Sequence, residues 1–207
     1  MQANERTRKM VQLSLLIALE VVLALTPLGF VPLGFTRATT MHIPVIIGAI
    51  LMGPMQGGIL GGVFGLCSLL TNTFSPTPTS FVFTPFFSLG DMNGNFWSLV
   101  ICFVPRILIG VVAGYLYRAI AGKGKHQLVG TAVSAAVASL INTGLVMGGI
   151  YVFFGQSYAA AKEIPFDTLF SVIMGVVGIN GVPEAIIAVI IVTAIIKPLR
   201  KAFGGAK

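Results

Sequence analysis

Hydrophobic residues form long runs along the chain, separated by short clusters of glycine, proline and asparagine. The runs predict six apolar helices, over about residues 9–28, 41–54, 57–73, 96–119, 128–154 and 168–197. From Ala38 to Gly90 there is no Asp, Glu, Lys or Arg, and this stretch is more than twice the ~20 residues that one helix needs to cross a bilayer. We therefore expect it to fold back as a tight helical hairpin at Gly53-Pro54.

Composition agrees with this pattern. Hydrophobic residues make up 56% of the 207 residues and charged residues only 9%, against roughly 25% charged residues in a soluble domain. The sequence therefore predicts an all-α membrane protein, with residues 1–207 forming one integral membrane domain, and excludes soluble enzymes, disordered chains and secreted disulfide scaffolds. Cys67 and Cys102 lie within apolar runs, and the two cysteines and two histidines are all isolated from one another, so we expect no metal site and no cofactor.

The net charge of +7 is a topology signal rather than a nucleic-acid-binding patch. Ten of the 13 basic residues lie before the first predicted helix, after the fourth, or at the C-terminal end. Six crossings would place both termini on one side of the membrane, and the positive-inside rule makes that side cytoplasmic. The basic N-terminal segment also resembles a signal peptide. An even number of crossings with both ends inside, however, requires that the first helix be retained.

Three charged residues fall in the interior of predicted spans, away from their ends: Glu20, Arg106 and Glu184. A charge at membrane depth costs about 2.5–3.5 kcal/mol or more, so it indicates a function or an internal partner. Arg106 either pairs with one of the two glutamates to hold helices together or faces a ligand. The segment 180–184, Asn-Gly-Val-Pro-Glu, interrupts the last apolar run. Such interruptions expose polar groups toward cavities, which favours a ligand site there.

The first predicted outside loop, residues 30–43, is rich in hydrogen-bonding side chains, among them Arg37, Thr39 and His42. Arg37 is its only cation and could meet an anionic solute. His42 is either a helix-terminal residue or a ligand-binding group.

The second predicted outside loop, residues 71–95, combines polar residues such as Asn72 and Asn93 with several phenylalanines. It is either an interfacial aromatic belt or, because loops this long usually have a function, an apolar lid over a polar pocket.

Two helices carry small residues at regular spacing. Gly57, Gly61 and Gly65 recur every four residues and predict close helix packing. In the first helix, Ser14 and Ala18 form a second small face, with Ala24 further along. The chain contains neither a nucleotide-binding motif nor a nucleophile with a spaced base, so we expect neither an ATPase nor an enzyme.

These features resemble the substrate-binding subunits, or S-components, of energy-coupling factor vitamin importers. The most specific part is Arg-Ala-Thr-Thr-Met-His-Ile-Pro-Val-Ile-Ile-Gly-Ala at 37–49, followed by Gly-Pro at 53–54, the glycine-rich helix and Thr-Ser-Phe-Val-Phe-Thr-Pro-Phe at 79–86. This pattern is similar to the pantothenate-type branch. The resemblance implies a six-helix protein in a prokaryotic plasma membrane that binds a vitamin from outside. It also implies docking on a transmembrane coupling subunit that works with two ATPase subunits.

In that family an Ala-x3-Ala motif of the first helix contacts the coupling subunit. The matching positions here are Ser14 and Ala18, with Ala24 as a further interface candidate. The carboxylate, hydroxyls and amide of pantothenate would suit an arginine and several asparagines. The alternatives are an S-component for another vitamin such as riboflavin, or a stand-alone small-solute permease. The candidate solute-binding residues are Arg37, Thr39, His42, Asn72, Asn93, Arg106, Asn142, Asn180 and Glu184.

Overall fold

The computed structural model describes residues 5–33, 36–122 and 126–203, and for residues 30–33, 36–38 and 203 it describes the backbone alone. Each hydrophobic run of the sequence forms a helix. The helices are α1 (Glu5–Leu25), α2 (His42–Met52), α3 (Pro54–Phe74), α4 (Phe96–Ala121), α5 (Gln127–Ala161), α6 (Leu169–Val176) and α7 (Val182–Phe203). The largest difference from the predicted bounds is at α5, which continues past residue 154 to Ala161.

The predicted hairpin of two helices is confirmed. Helix α2 ends at Met52 and α3 begins at Pro54, so Gly53 alone connects them. Gly53 has φ 114°, a backbone conformation that side chains other than hydrogen rarely permit. Pro54 occupies the first turn of α3, where its missing N–H and fixed φ are tolerated.

The interruption predicted near Asn180 is a π-helical turn. Residues Val177–Gly181 form this turn between α6 and α7, so the helix continues through it with a locally wider winding. Such π turns insert a residue and leave backbone groups imperfectly paired. Asn180 lies within the turn and Glu184 in the first turn of α7.

Within the described ranges, four helical stretches are long and apolar enough to span a membrane: Pro54–Phe74, Phe96–Ala121, Gln127–Ala161 and Phe166–Ala202. Helix α1 falls outside this set because it carries several charges. Helix α2 has 11 residues, which rise only about 16 Å, roughly half of the ~30 Å hydrocarbon core. The protein is thus a membrane-embedded helical protein, while six crossings and cytoplasmic termini stay predictions.

Two short hairpins lie in loops of a chain that we predicted to be all-α. Strands β1 (Phe30–Leu33) and β2 (Thr36–Thr39) pair antiparallel, as do β3 (Ser88–Leu89) and β4 (Met92–Asn93). These strands are too short to show a clear alternation of polar and apolar residues, which explains why the sequence pattern did not reveal them. We call the end of the bundle that carries both hairpins the hairpin end.

The glycines of α3 allow close packing against α4, as their spacing predicted. A Cβ atom on Gly57 would lie 2.7 Å from the Gly110 carbonyl oxygen, and one on Gly61 would lie 2.8 Å from the Cα atom of Ile107. Any larger residue at these positions would therefore separate the two helices. This contact holds the middle of α4, and with it Arg106, directly against α3.

Candidate functional site

Glu184 connects the last helix to the first hairpin. Its side chain is only 7% exposed, and its Oε1 atom accepts a hydrogen bond of 2.8 Å from the backbone N–H of Thr39. The hydroxyl of Thr40 donates to the Leu28 carbonyl oxygen at 2.7 Å, which anchors the end of β2.

Arg106 is held by a feature of its own helix. In a regular helix the N–H of residue 105 would donate to the carbonyl oxygen of Ile101, but Pro105 has no N–H. The Nη1 atom of Arg106 donates to that carbonyl oxygen instead, at 2.6 Å. The side chain is 7% exposed, and its Nε atom has no hydrogen-bond partner in the described part of the chain.

Two aromatic rings flank the same guanidinium. Its Cζ atom lies 5.5 Å from the ring centroid of Phe64 and 5.2 Å from that of Phe83, distances at which cation–π attraction is significant. Phe64 is a buried residue of α3, whereas Phe83 comes from the loop between α3 and α4. The loop therefore covers Arg106 from the hairpin end.

The ion pairs considered for Arg106 are not formed among the described residues. Its hydrogen bond is to a carbonyl oxygen, and both carboxylate oxygens of Glu20 lack a hydrogen-bond partner. The carboxylate of Glu184 is close enough to interact electrostatically with the guanidinium, yet it binds the Thr39 amide. Arg106 thus keeps hydrogen-bonding capacity that no described residue uses.

Helix α5 and the π turn add amide groups next to Glu184. Thr143 faces the Glu184 carboxylate, and Gly181 approaches so closely that a Cβ there would lie 3.1 Å from the Thr143 methyl carbon. The neighbouring residues Asn142 and Asn180 each have a side-chain carbonyl oxygen without a hydrogen-bond partner. Leaving such a buried group unsatisfied costs about 1–3 kcal/mol, so a polar molecule at this place would be stabilised.

We call these neighbours the polar cluster; its members are buried, except for Thr39 and Asn180, which are half-buried. His42 belongs to it because it is buried at the start of α2 beside the Thr39 backbone. The polar cluster consists of Thr39, His42, Arg106, Asn142, Thr143, Asn180 and Glu184. Six of these seven residues were predicted from the sequence. Thr143 was missed, although its position next to Asn142 on a helix made it a reasonable candidate.

Two predicted site residues make hydrogen bonds elsewhere. Asn72 donates to the Ser68 carbonyl oxygen and accepts from the Ser80 hydroxyl, both at 2.8 Å, and thereby fastens the α3–α4 loop to α3. Asn93 is exposed and donates to the Asp91 carbonyl oxygen at 3.3 Å, within the turn between β3 and β4. The structure does not connect either residue to the polar cluster.

The α3–α4 loop is firmly held. The Ser98 hydroxyl donates to the Phe81 carbonyl oxygen at 2.7 Å, and the hydroxyls of Thr73 and Thr84 are 2.7 Å apart. Phe81 is fully buried and packs edge-to-face on Phe154 of α5, with ring centroids 5.9 Å apart. The loop is therefore an ordered cover over the site.

Arg37 lies in strand β2, where its backbone pairs with Pro32, two residues from Thr39. Its side chain lies outside the described part of the chain, so its predicted role as an anion-binding group stays a prediction.

Helix α1 presents its small residues away from the bundle. Ser14 and Ala18 are exposed, whereas Leu16 and Glu20 are buried against the neighbouring helices. Ala24 is half-buried and packs against the hydrophobic core, so it does not share the exposed face of Ser14 and Ala18.

Comparison with known proteins gives a family and two relatives. The model of the family described as "ECF transporter, substrate-specific component" matches residues 8–196. A protein of Lactococcus lactis subsp. cremoris named pantothenic acid transporter PanT is 38% identical over 168 residues, which cover 80% of this chain and 79% of the relative. A pantothenate transporter PanT of Leuconostoc mesenteroides subsp. mesenteroides is 28% identical over 200 residues, covering 93% of this chain and 92% of the relative.

Proposed function

Because the chain belongs to the family of ECF transporter substrate-specific components, we propose that it is the vitamin-binding subunit of an ATP-driven importer and that its vitamin is pantothenate. The names of both relatives support pantothenate over riboflavin. The single structural observation that carries the proposal is a buried arginine with unused donors beside buried, unpartnered amide oxygens. Pantothenate combines a carboxylate with hydroxyls and an amide, which are the groups that such a site would satisfy.

In this proposal Arg106 binds the carboxylate. Its Nη1 atom is occupied by the Ile101 carbonyl oxygen, while Nε carries no hydrogen bond. A guanidinium offers its donors as a planar fork that matches a carboxylate with two parallel hydrogen bonds. The flanking rings of Phe64 and Phe83 exclude water from the guanidinium, which strengthens its attraction for an anion.

The amides then bind the rest of the solute. The free side-chain oxygens of Asn142 and Asn180 accept hydrogen bonds from hydroxyl and amide donors of the vitamin. Glu184 repels the carboxylate of the solute and so directs that end toward Arg106. Because Glu184 also holds Thr39, the β1–β2 hairpin closes the site from one side.

Binding of the acid and of its neutral alcohol analogue, pantothenol, tests this assignment. We expect the wild-type protein, purified in detergent, to bind pantothenate more tightly than pantothenol in isothermal titration. A hydrogen bond to a charged group is worth about 1.5–3 kcal/mol, so Arg106→Gln should weaken pantothenate binding about ten- to a hundredfold. Its affinity for pantothenol should change little.

Arg37→Gln is the matched variant, because Arg37 is the other cation predicted to face the solute. If Arg37→Gln loses the preference for the acid and Arg106→Gln keeps it, the carboxylate is bound by the first hairpin. If all three proteins discriminate equally, neither arginine binds it. No affinity for pantothenate in the wild type would refute the choice of vitamin.

The same proposal includes transport. We propose six crossings with cytoplasmic termini in a prokaryotic plasma membrane, so that the hairpin end faces outward, as the distribution of basic residues favours. The exposed face of α1 with Ser14 and Ala18 would dock on a transmembrane coupling subunit. Small residues there permit close approach of a partner helix. Two ATPase subunits would supply the energy for import.

A further inference from the structure

The contact between Arg106 and its own helix depends on the residue before it. Ile101 is 2% exposed, so its carbonyl oxygen has no access to bulk water. Pro105 leaves this oxygen without its helical partner, and the Arg106 guanidinium supplies a hydrogen bond of 2.6 Å in its place. A free carbonyl and a buried cation, each costly alone in a membrane, thus satisfy one another.

We propose that Pro105 is a positioning residue for solute recognition, because it frees the Ile101 carbonyl oxygen that aims the Arg106 guanidinium at the solute. This inference rests on the proposed function, in which Arg106 binds the carboxylate. Pro105 itself does not touch the solute. Its contribution is the absence of an N–H at one position of α4.

The geometry of the guanidinium explains why this anchor matters. Nη1 lies on the same side of the group as the Cδ atom, so binding through Nη1 leaves the opposite edge, formed by Nε and Nη2, free. That edge can hold a carboxylate with two parallel hydrogen bonds. Nε is buried and has no hydrogen-bond partner among the described residues, so this edge keeps a donor for a solute. The long arginine side chain would otherwise sample many rotamers. The hydrogen bond to the Ile101 carbonyl oxygen favours those rotamers that point toward the N-terminal end of α4.

Replacing Pro105 by alanine would reverse this arrangement. The new N–H at position 105 would donate to the Ile101 carbonyl oxygen in the ordinary helical manner and compete with Arg106 for it. Alanine is far more favourable than proline inside a helix, so the variant should fold at least as well as the wild type. We expect the Arg106 guanidinium to be held less firmly in this variant.

The experiment compares pantothenate with pantothenol in isothermal titration. In the wild type we expect a ten- to hundredfold preference for the acid, following the strength of a charge-assisted hydrogen bond. Pro105→Ala should lose most of this preference while keeping its affinity for pantothenol within about threefold. Pro198→Ala is the matched control, because Pro198 also lies inside a helix, α7, but is exposed; it should keep the wild-type preference.

A double-mutant cycle separates positioning from general damage. If Pro105 acts through Arg106, adding Pro105→Ala to Arg106→Gln should not change the ratio of the two affinities further. The inference is overturned if Pro105→Ala keeps the wild-type preference while Arg106→Gln loses it, and in that case the carboxylate role of Arg106 stands. An equal loss of affinity for acid and alcohol in Pro105→Ala also overturns the inference, because a residue that only supports the fold would weaken the binding of both ligands alike. If Arg106→Gln itself keeps the preference, the proposed function of Arg106 fails, and the inference fails with it.

Discussion

Gly61 offers a direct test of how closely α3 must approach the arginine-bearing helix. A Cβ atom at this position would lie 2.8 Å from the Cα atom of Ile107 and would overlap the Arg106 carbonyl oxygen even more closely. Ordinary van der Waals contacts of a Cβ begin at about 3.4 Å. Both clashing atoms belong to the backbone, so no side-chain rotation relieves the clash. Gly61→Ala must therefore move α3 away from α4 at the level of Arg106.

Gly62 provides the matched control on the same helix, since a Cβ there meets no atom within 4 Å. Both substitutions gain the same helix propensity, up to about 1 kcal/mol for glycine to alanine. The difference in unfolding free energy between the two variants is then the steric cost alone. Inserting a methyl group into a packed core costs about 1–3 kcal/mol, and we expect Gly61→Ala to be less stable than Gly62→Ala by that amount.

The measurement is reversible unfolding in mixed micelles, followed by circular dichroism, for the wild type and both variants. Pantothenate titration of the same samples reports the position of Arg106. We expect Gly61→Ala to unfold at lower denaturant and to bind the acid more weakly, whereas Gly62→Ala should match or exceed the wild type in stability. Equal midpoints for the two variants would refute the close packing of α3 on α4 at this point.

Two further predictions concern the hairpin and the first helix. Glu184→Gln keeps an oxygen that can accept a hydrogen bond from the Thr39 amide, whereas Glu184→Ala removes it. A hydrogen bond to a charged group is worth about 1.5–3 kcal/mol, so the alanine variant should release pantothenate about ten- to a hundredfold faster in stopped-flow chase experiments. Identical release rates for both variants would contradict this. Ala18→Trp should keep the affinity for pantothenate but prevent co-purification with a co-expressed coupling subunit, because the bulky ring blocks close helix approach. Normal co-purification would remove Ala18 from the docking face.

The helices could be predicted from the sequence because membrane helices are specified by local composition. The uncharged stretch from Ala38 to Gly90 had to reverse direction, and Gly53-Pro54 offers a turn and a helix start at the boundary between two apolar runs. The same local reasoning identified Arg106 and Glu184, because a charge within an apolar run is conspicuous. It failed for the β1–β2 hairpin, whose two strands have four residues each.

The partners of the site residues could not be predicted, because they depend on contacts between distant parts of the chain. Glu184 binds a backbone amide 145 residues away, and no side-chain pattern marks a backbone donor. Asn72 and Asn142 are both asparagines in or next to apolar helices, yet the first is fully used in fastening a loop and the second keeps a free oxygen. Only the packed structure distinguishes a polar group that supports the site from one that is open to a solute.

The two covers over the polar cluster are attached to different parts of the molecule. The loop that carries Phe83 is tied to its flanking helices by the hydrogen bonds of Asn72 and Ser98, and by the buried ring of Phe81. The β1–β2 hairpin is bonded to the site itself, through the hydrogen bond from the Thr39 amide to the Glu184 carboxylate. None of the loop bonds just named ends on a residue of the polar cluster. If a solute enters beneath the hairpin, the bond from Thr39 to Glu184 breaks on entry and forms again behind the bound solute, which is the reason why its removal in Glu184→Ala should speed release.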